Sequence, residues 1–173
     1  ESKLIKKSPL QEMAESSKDN EPDYYGKLLD YEGMRTYVYP DHKGNPTIGI
    51  GHLIMPGEDF TGYKEGDFEK LFKEKDLPKY LKRTKALVKD FDKYPKSVKE
   101  EMVASVFRGG LSGSPKTLEL INQGKYKEAS VEFLNNDEYR EAKQWEIDNN
   151  KPHGVVRRMN NLARELANLK RSK

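Results

Sequence analysis

Glu32, Asp41 and Thr47 are the residues of this chain whose types and spacing can do chemistry. Two carboxyl groups close together in sequence can share the work of a general acid and a general base, provided their surroundings push their pKa values apart. Glu32 falls at the last turn of a predicted helix, on its apolar face. Burial and the negative end of the helix dipole both favour the protonated form there. An acid kept protonated near neutral pH can give its proton to a leaving-group oxygen. Asp41 lies in a turn, Pro40-Asp41-His42-Lys43-Gly44-Asn45-Pro46, where backbone N–H groups and water favour the carboxylate. Thr47 follows, with a hydroxyl that both donates and accepts and so can hold a water beside Asp41. Two carboxyl groups pushed apart in this way form the pattern of glycoside hydrolysis. On that reading Glu32→Gln abolishes activity and leaves the fold intact or slightly more stable, because a desolvated acid is removed. The ordinary readings stand beside it: a Glu near a helix end faces solvent, an Asp after Pro makes a turn, a Thr suits a strand. Spacing alone leaves both open.

The elements that must position these residues can be read from periodicity. Asn20-Glu21-Pro22 is a helix-start signal. Tyr25, Leu28, Leu29 and Glu32 then recur at helical spacing, and Gly33 marks the stop. Tyr37-Val38-Tyr39 predicts a short strand and Thr47 to Leu53 a second, so 34–54 reads as a β-hairpin. From Asp67 a long helical pattern runs to Val88, with Pro78 expected to kink or restart it. Val98, Met102, Val106 and Phe107 share one apolar face that ends at Gly109-Gly110, and further helices are predicted over 116–123, 125–135, 137–146 and 154–169. The expected fold is α+β but mostly α: a small hairpin lobe (about 33–66) and a helical lobe (about 67–170), joined by a long helix. Residues 1–20 read as a polar extension or linker, and 21–173 as one domain.

Composition excludes several function classes. The chain has 173 residues and no cysteine, so disulfide scaffolds, cysteine zinc sites and thiol catalysis are out. No apolar run approaches the ~18 residues of a membrane span, so stable membrane insertion is not expected. Beginning with Glu1 rather than Met, the chain reads as a processed form or a piece of something longer. The formal net charge is only +3, yet Lys151, Arg157, Arg158, Arg164, Lys170, Arg171 and Lys173 face Glu165 alone near the end. Such a stretch suits a polyanion or is simply a solvated helix face. It carries no helix-turn-helix, RNA-binding or zinc pattern, so nucleic acid is not the expected partner.

The whole string Glu32-Gly33-x-Arg35, Tyr39-x-Asp41, Gly44 and Thr47-Ile48-Gly49-x-Gly51-His52 resembles, without a gap, the signature of the T-even bacteriophage-type lysozymes, a family of phage muramidases. A fainter likeness continues through Ser105-x-Phe107, Gly110, Thr117-Leu118, Asn122-x-Gly124, Trp145, Pro152 and Arg157. The resemblance implies a lysozyme-like fold and cleavage of the β-1,4 bond between N-acetylmuramic acid and N-acetylglucosamine in peptidoglycan. Glu32 would be the general acid, and Asp41 with Thr47 would place the attacking water. That suits inversion, with the carboxyl groups roughly 6.5–9.5 Å apart. His52 would make a structural ion pair, with Asp76 the candidate partner, and Arg157 would help fix the acid. Arg108, Gly110 and Thr117 would contact substrate, while Trp145 would be core. No metal or organic cofactor is implied, in keeping with three histidines and no His-Glu-x-x-His spacing.

Two departures touch substrate grip. Arg108 stands where the family usually has Asn or Gln, and the loop Gly109 to Pro115 lacks an aromatic residue the family often carries. Arg108 can pair with a stem-peptide carboxylate or be a surface charge. The implied partner is the peptidoglycan glycan strand, met by a monomer unless the chain is embedded in a virion assembly. The implied place of action is the host periplasm and wall, reached from the host cytoplasm at lysis or from a virion at entry. A lytic transglycosylase and a non-catalytic wall-binding virion domain are the alternatives.

Overall fold

The computed structural model describes residues 6, 8–10 and 21–170. The expected extension over 1–20 therefore lies, apart from residues 6 and 8–10, outside the described residues. Helix α1 (Tyr24–Glu32) is capped by Asp23, whose carboxylate accepts from the Gly26 N–H at 2.8 Å. This cap places the start just after Pro22, later than the Asn20 signal suggested, because the side chain that satisfies a free N–H fixes the first turn. Leu28 is fully buried, and the helix ends at Gly33 (φ 72°), whose N–H returns to the Leu29 carbonyl. Glu32 is thus the last residue of α1, as its spacing implied.

The sheet has three antiparallel strands in sequence order: β1 (Arg35–Pro40), β2 (Pro46–Gly49) and β3 (His52–Leu53). The single strand expected over 47–53 is in fact folded back on itself. Gly49 and Gly51 adopt φ of 66° and 61°, which reverses the chain and sets Thr47 opposite Leu53 and Ile48 opposite His52. Both glycines also sit against aromatic rings. A Cβ at Gly49 would meet Phe68 Cδ1 at 2.7 Å, and one at Gly51 would meet Phe107 Cε1 at 2.9 Å. Gly49→Ala is therefore expected to destabilise the fold by about 2–4 kcal/mol, from the left-handed backbone and from overpacking against buried Phe68. A thermal melt checks this, and an unchanged midpoint would mean that Phe68 moves aside at no cost.

The connecting helix runs as α2 (Glu65–Leu71), a widened π turn (Phe72–Asp76) and α3 (Leu77–Leu87). The α-helix restarts at Leu77 with Pro78 in its first turn, as expected, while the π turn keeps the segment continuous. Proline has no N–H to donate, and its ring crowds the carbonyl four residues back. A wide turn directly before it, in which the Leu77 N–H reaches the Phe72 carbonyl, absorbs the misfit. It also sets Asp76 at the junction, facing β3.

Helices α4 (Lys96–Arg108), α5 (Pro115–Asn122), α6 (Tyr126–Phe133), α7 (Asp137–Asn149) and α8 (Gly154–Ala167) make up the rest. Val98, Met102 and Val103 of α4 are buried with Ala129 and Phe133 of α6 and Leu162 and Leu166 of α8 in one main core. A smaller cluster of Leu28, Ile50, Phe72 and Ala104 ties α1, the sheet, the π turn and α4 together. Each of the larger side chains, the valines, leucines, isoleucine, methionine and phenylalanines, contributes roughly 1.5–3 kcal/mol on burial. The fold is α+β and mostly helical, with the small sheet and long connecting helix that periodicity implied. Trp145 departs from expectation: it is 41% exposed, its ring meeting His153 edge-on at 5.1 Å. The reason is that α7 buries only Ala142 and lies on the surface of the helical part.

Candidate active site

Glu32, Asp41 and Thr47 line one cleft of about 350 Å³, together with Tyr39, Gly51, Phe107, Arg108 and Arg158. Glu32 comes from the end of α1, Asp41 from the β1–β2 turn and Thr47 from β2. Arg108 and Arg158 come from α4 and α8. The cleft therefore lies where the sheet meets the helices.

The carboxylate of Glu32 is held by Arg158, whose guanidinium donates to Oε1 at 2.7 Å and to the Ala104 carbonyl at 3.1 Å. Both side chains are largely buried, at 23% and 14% exposure. Arg157, expected to steady the acid, instead pairs with Asp30 at 2.6 Å in a half-exposed bridge. Helical phase explains the exchange, and it was available in the sequence. Arg158 stands three residues after Val155 and four before Leu162, so it shares the inward side of α8, while exposed Arg157 lies outside it.

Asp41 is anchored by its own turn. Its Oδ1 accepts from the N–H groups of Lys43 and Asn45, both at 2.8 Å, and its Oδ2 from the Asn45 side-chain amide at 3.3 Å. These bonds, that of the Asn45 N–H foremost, hold its pKa below the usual carboxylate value. Thr47 is 3% exposed, and its hydroxyl donates to the Asn45 carbonyl at 3.0 Å. Its proton is thereby committed, while its lone pairs remain free to accept.

His52 lies between two carboxylates. Nδ1 is 2.8 Å from Asp76 Oδ2, and Nε2 is 3.1 Å from Glu58. Glu58 went unremarked in the sequence because it sits in a loop with no periodicity to aim it. The bond to Asp76 first, then the pairing with Glu58, raises the His52 pKa against the effect of burial. The stability from a raised histidine pKa is complete below its ordinary value of 6.5 and is lost as pH rises through the higher folded-state value. Glu58 runs the other way. Burial would raise its pKa, but the Met55 N–H and His52 outweigh burial and lower it, so its share is lost in acid. Removing His52 strands carboxylates it had paired, so His52→Asn is expected to cost about 3 kcal/mol near pH ~5.5 and clearly less near pH ~9. Melts at the two pH values check this, and an equal cost at both would show that His52 carries no charge in the fold.

Arg108 lines the cleft and is held by Glu138 at the start of α7, at 2.7 Å. Gly110 and Thr117 do not line it. The N–H of Gly110 bonds to the Ser105 carbonyl at the end of α4, and Thr117 is 1% exposed on the inner face of α5. Neither is brought to the cleft with Glu32, Asp41 and Thr47.

The model of one protein family, phage lysozyme, matches residues 29–161, a span that takes in the end of α1, the sheet, the connecting helix and the first half of α8. The chain belongs to the phage lysozyme family. No curated protein gives a significant match. As a phage lysozyme the chain is a glycoside hydrolase that acts on the peptidoglycan of the bacterial cell wall. Among the described residues, no helix of this lysozyme is long and apolar enough to cross a membrane.

Proposed function

We propose that this lysozyme cleaves the β-1,4 bond between N-acetylmuramic acid and N-acetylglucosamine with inversion at the anomeric carbon. The observation that supports it is the meeting of Glu32, Asp41 and Thr47 in one cleft, each held in place by a hydrogen bond. Asp41 Oδ1 is taken up by the turn, and Oδ2 has capacity left to receive a proton. Thr47 Oγ1 can accept from the same water whose other hydrogen points to Asp41. That water then offers its lone pair to the anomeric carbon as Glu32 protonates the departing oxygen. Arg158 supports the Glu32 anion that proton transfer leaves behind. Arg108, fixed by Glu138 on the cleft wall, is placed to meet a stem-peptide carboxylate.

On this reading residues 21–173 are the catalytic domain, with lobes of about 33–66 and 67–170. Its setting is wall degradation by a phage, at host lysis or at entry. The test is digestion of purified peptidoglycan, with mass spectrometry of released muropeptides and NMR of the first-formed anomer. Reducing muramic-acid ends in the α-configuration are expected. Anhydro ends would assign a lytic transglycosylase, and no release would point to a wall-binding domain.

A further inference from the structure

Behind the cleft, Arg158 borders a second carboxylate. Glu101 of α4 is 5% exposed and lines a small cavity together with Arg158, Tyr31 and Ser105. An arginine between two buried carboxylates can serve either, and only one choice steadies Glu32. Tyr31 of α1 stands between them. Its hydroxyl donates to Glu101, 2.8 Å from both carboxylate oxygens, and accepts from the Asn161 amide at 2.8 Å. Its ring carries the Arg158 guanidinium at 4.7 Å. Lys27 completes the pairing of Glu101 at 3.0 Å.

We propose that Tyr31 is a positioning residue: its hydroxyl occupies Glu101, its ring supports Arg158, and Arg158 is thereby kept for Glu32. The inference rests on the proposed role of Glu32 as the acid. Arg158 is then restrained by the Glu32 carboxylate, the Ala104 carbonyl and the face of Tyr31. A guanidinium over an aromatic face is held electrostatically and loses little by being dry. The phenol is a dependable donor, since burial foremost raises its pKa to about 12 and it stays protonated wherever the enzyme works. Charge is matched in this knot. Lys27, Arg157 and Arg158 meet Glu101, Asp30 and Glu32. Nothing in the matching says which cation serves which anion, and the Tyr31 hydroxyl makes that choice.

The test is a rescue experiment. Tyr31→Phe keeps the ring and leaves Glu101 with Lys27 as its one remaining partner named above, able to draw Arg158 away. On purified peptidoglycan it is expected to lower kcat about ten- to a hundredfold with KM nearly unchanged. The limb of its kcat/KM pH profile set by the acid should move as well. Glu101→Gln alone should stay near the parent activity. Tyr31→Phe/Glu101→Gln should recover most of kcat and the parent pH profile, because the competing charge is gone. Thermal melts of all three variants separate this from loss of fold: a packing role would lower stability without rescue. Tyr31→Phe at parent activity, or a double variant no better than the single, overturns the inference. Glu32→Gln in the same assay keeps the two readings apart. If it is inactive while Tyr31→Phe is unaffected, only the role of Tyr31 falls; if it is fully active, the assignment of the acid itself falls.

Discussion

Glu32→Gln is expected to reduce turnover of peptidoglycan at least about a thousandfold, because the departing sugar oxygen then has no proton donor. Binding should survive, since glutamine keeps the volume and one acceptor for Arg158. The effect on stability differs from what desolvation alone suggests. Glu32 is no unpaired acid in an apolar setting. Its carboxylate holds the guanidinium of Arg158, which is only 14% exposed. Exchanging a charged bond for a neutral one at a largely buried cation costs about 1 kcal/mol. The variant should melt slightly below the parent rather than above it. Muropeptide release and a melt read both effects together. Parent-level release would remove Glu32 from the mechanism, and a raised midpoint would show that desolvation outweighs the pair.

Asp41→Asn is expected to cut turnover by about a hundred- to ten-thousandfold while lowering the melting midpoint only slightly. The geometry separates the two outcomes. The asparagine oxygen can still accept from the Lys43 and Asn45 N–H groups, so the turn keeps its shape. What disappears is the charge that would take a proton from the attacking water. Thr47→Ala, which removes only one of that water's two acceptors, should cost less, about tenfold. Equal losses in the two variants would mean that placing the water matters and its deprotonation does not. If Asp41→Asn retained full turnover, the water would have to be activated elsewhere in the cleft.

Positions fixed by local structure were legible in the sequence. The Asp41 turn is built from its own Gly and Asn neighbours, so its type followed from composition. Glu32 at the end of an apolar helix face followed from period and a glycine stop. What depended on distant partners was not legible. The phase of α8 turns Arg158 rather than Arg157 inward, but that its partner is Glu32 shows only once α1 and α8 are both in place. The third strand was hidden because Gly49 and Gly51 suit a strand pattern and a reversal equally, and Phe68 and Phe107 decide between them from elsewhere in the chain. Thr117 was tied to substrate by resemblance alone, and the phase of α5 buries it. The knot around Tyr31 needs α1, α4 and α8 in place before any of its bonds can be drawn.

The clamp on the acid spans almost the whole described chain, since Glu32 and Arg158 are 126 residues apart. Asp30 and Arg157 repeat the closure at a separation of 127. A ribosome that has delivered α1, the sheet and α4 has made an acid with nothing to hold it. Translation must reach α8 before the site can close, so a stalled or clipped product lacking that helix holds the parts of a wall-cutting enzyme without its edge.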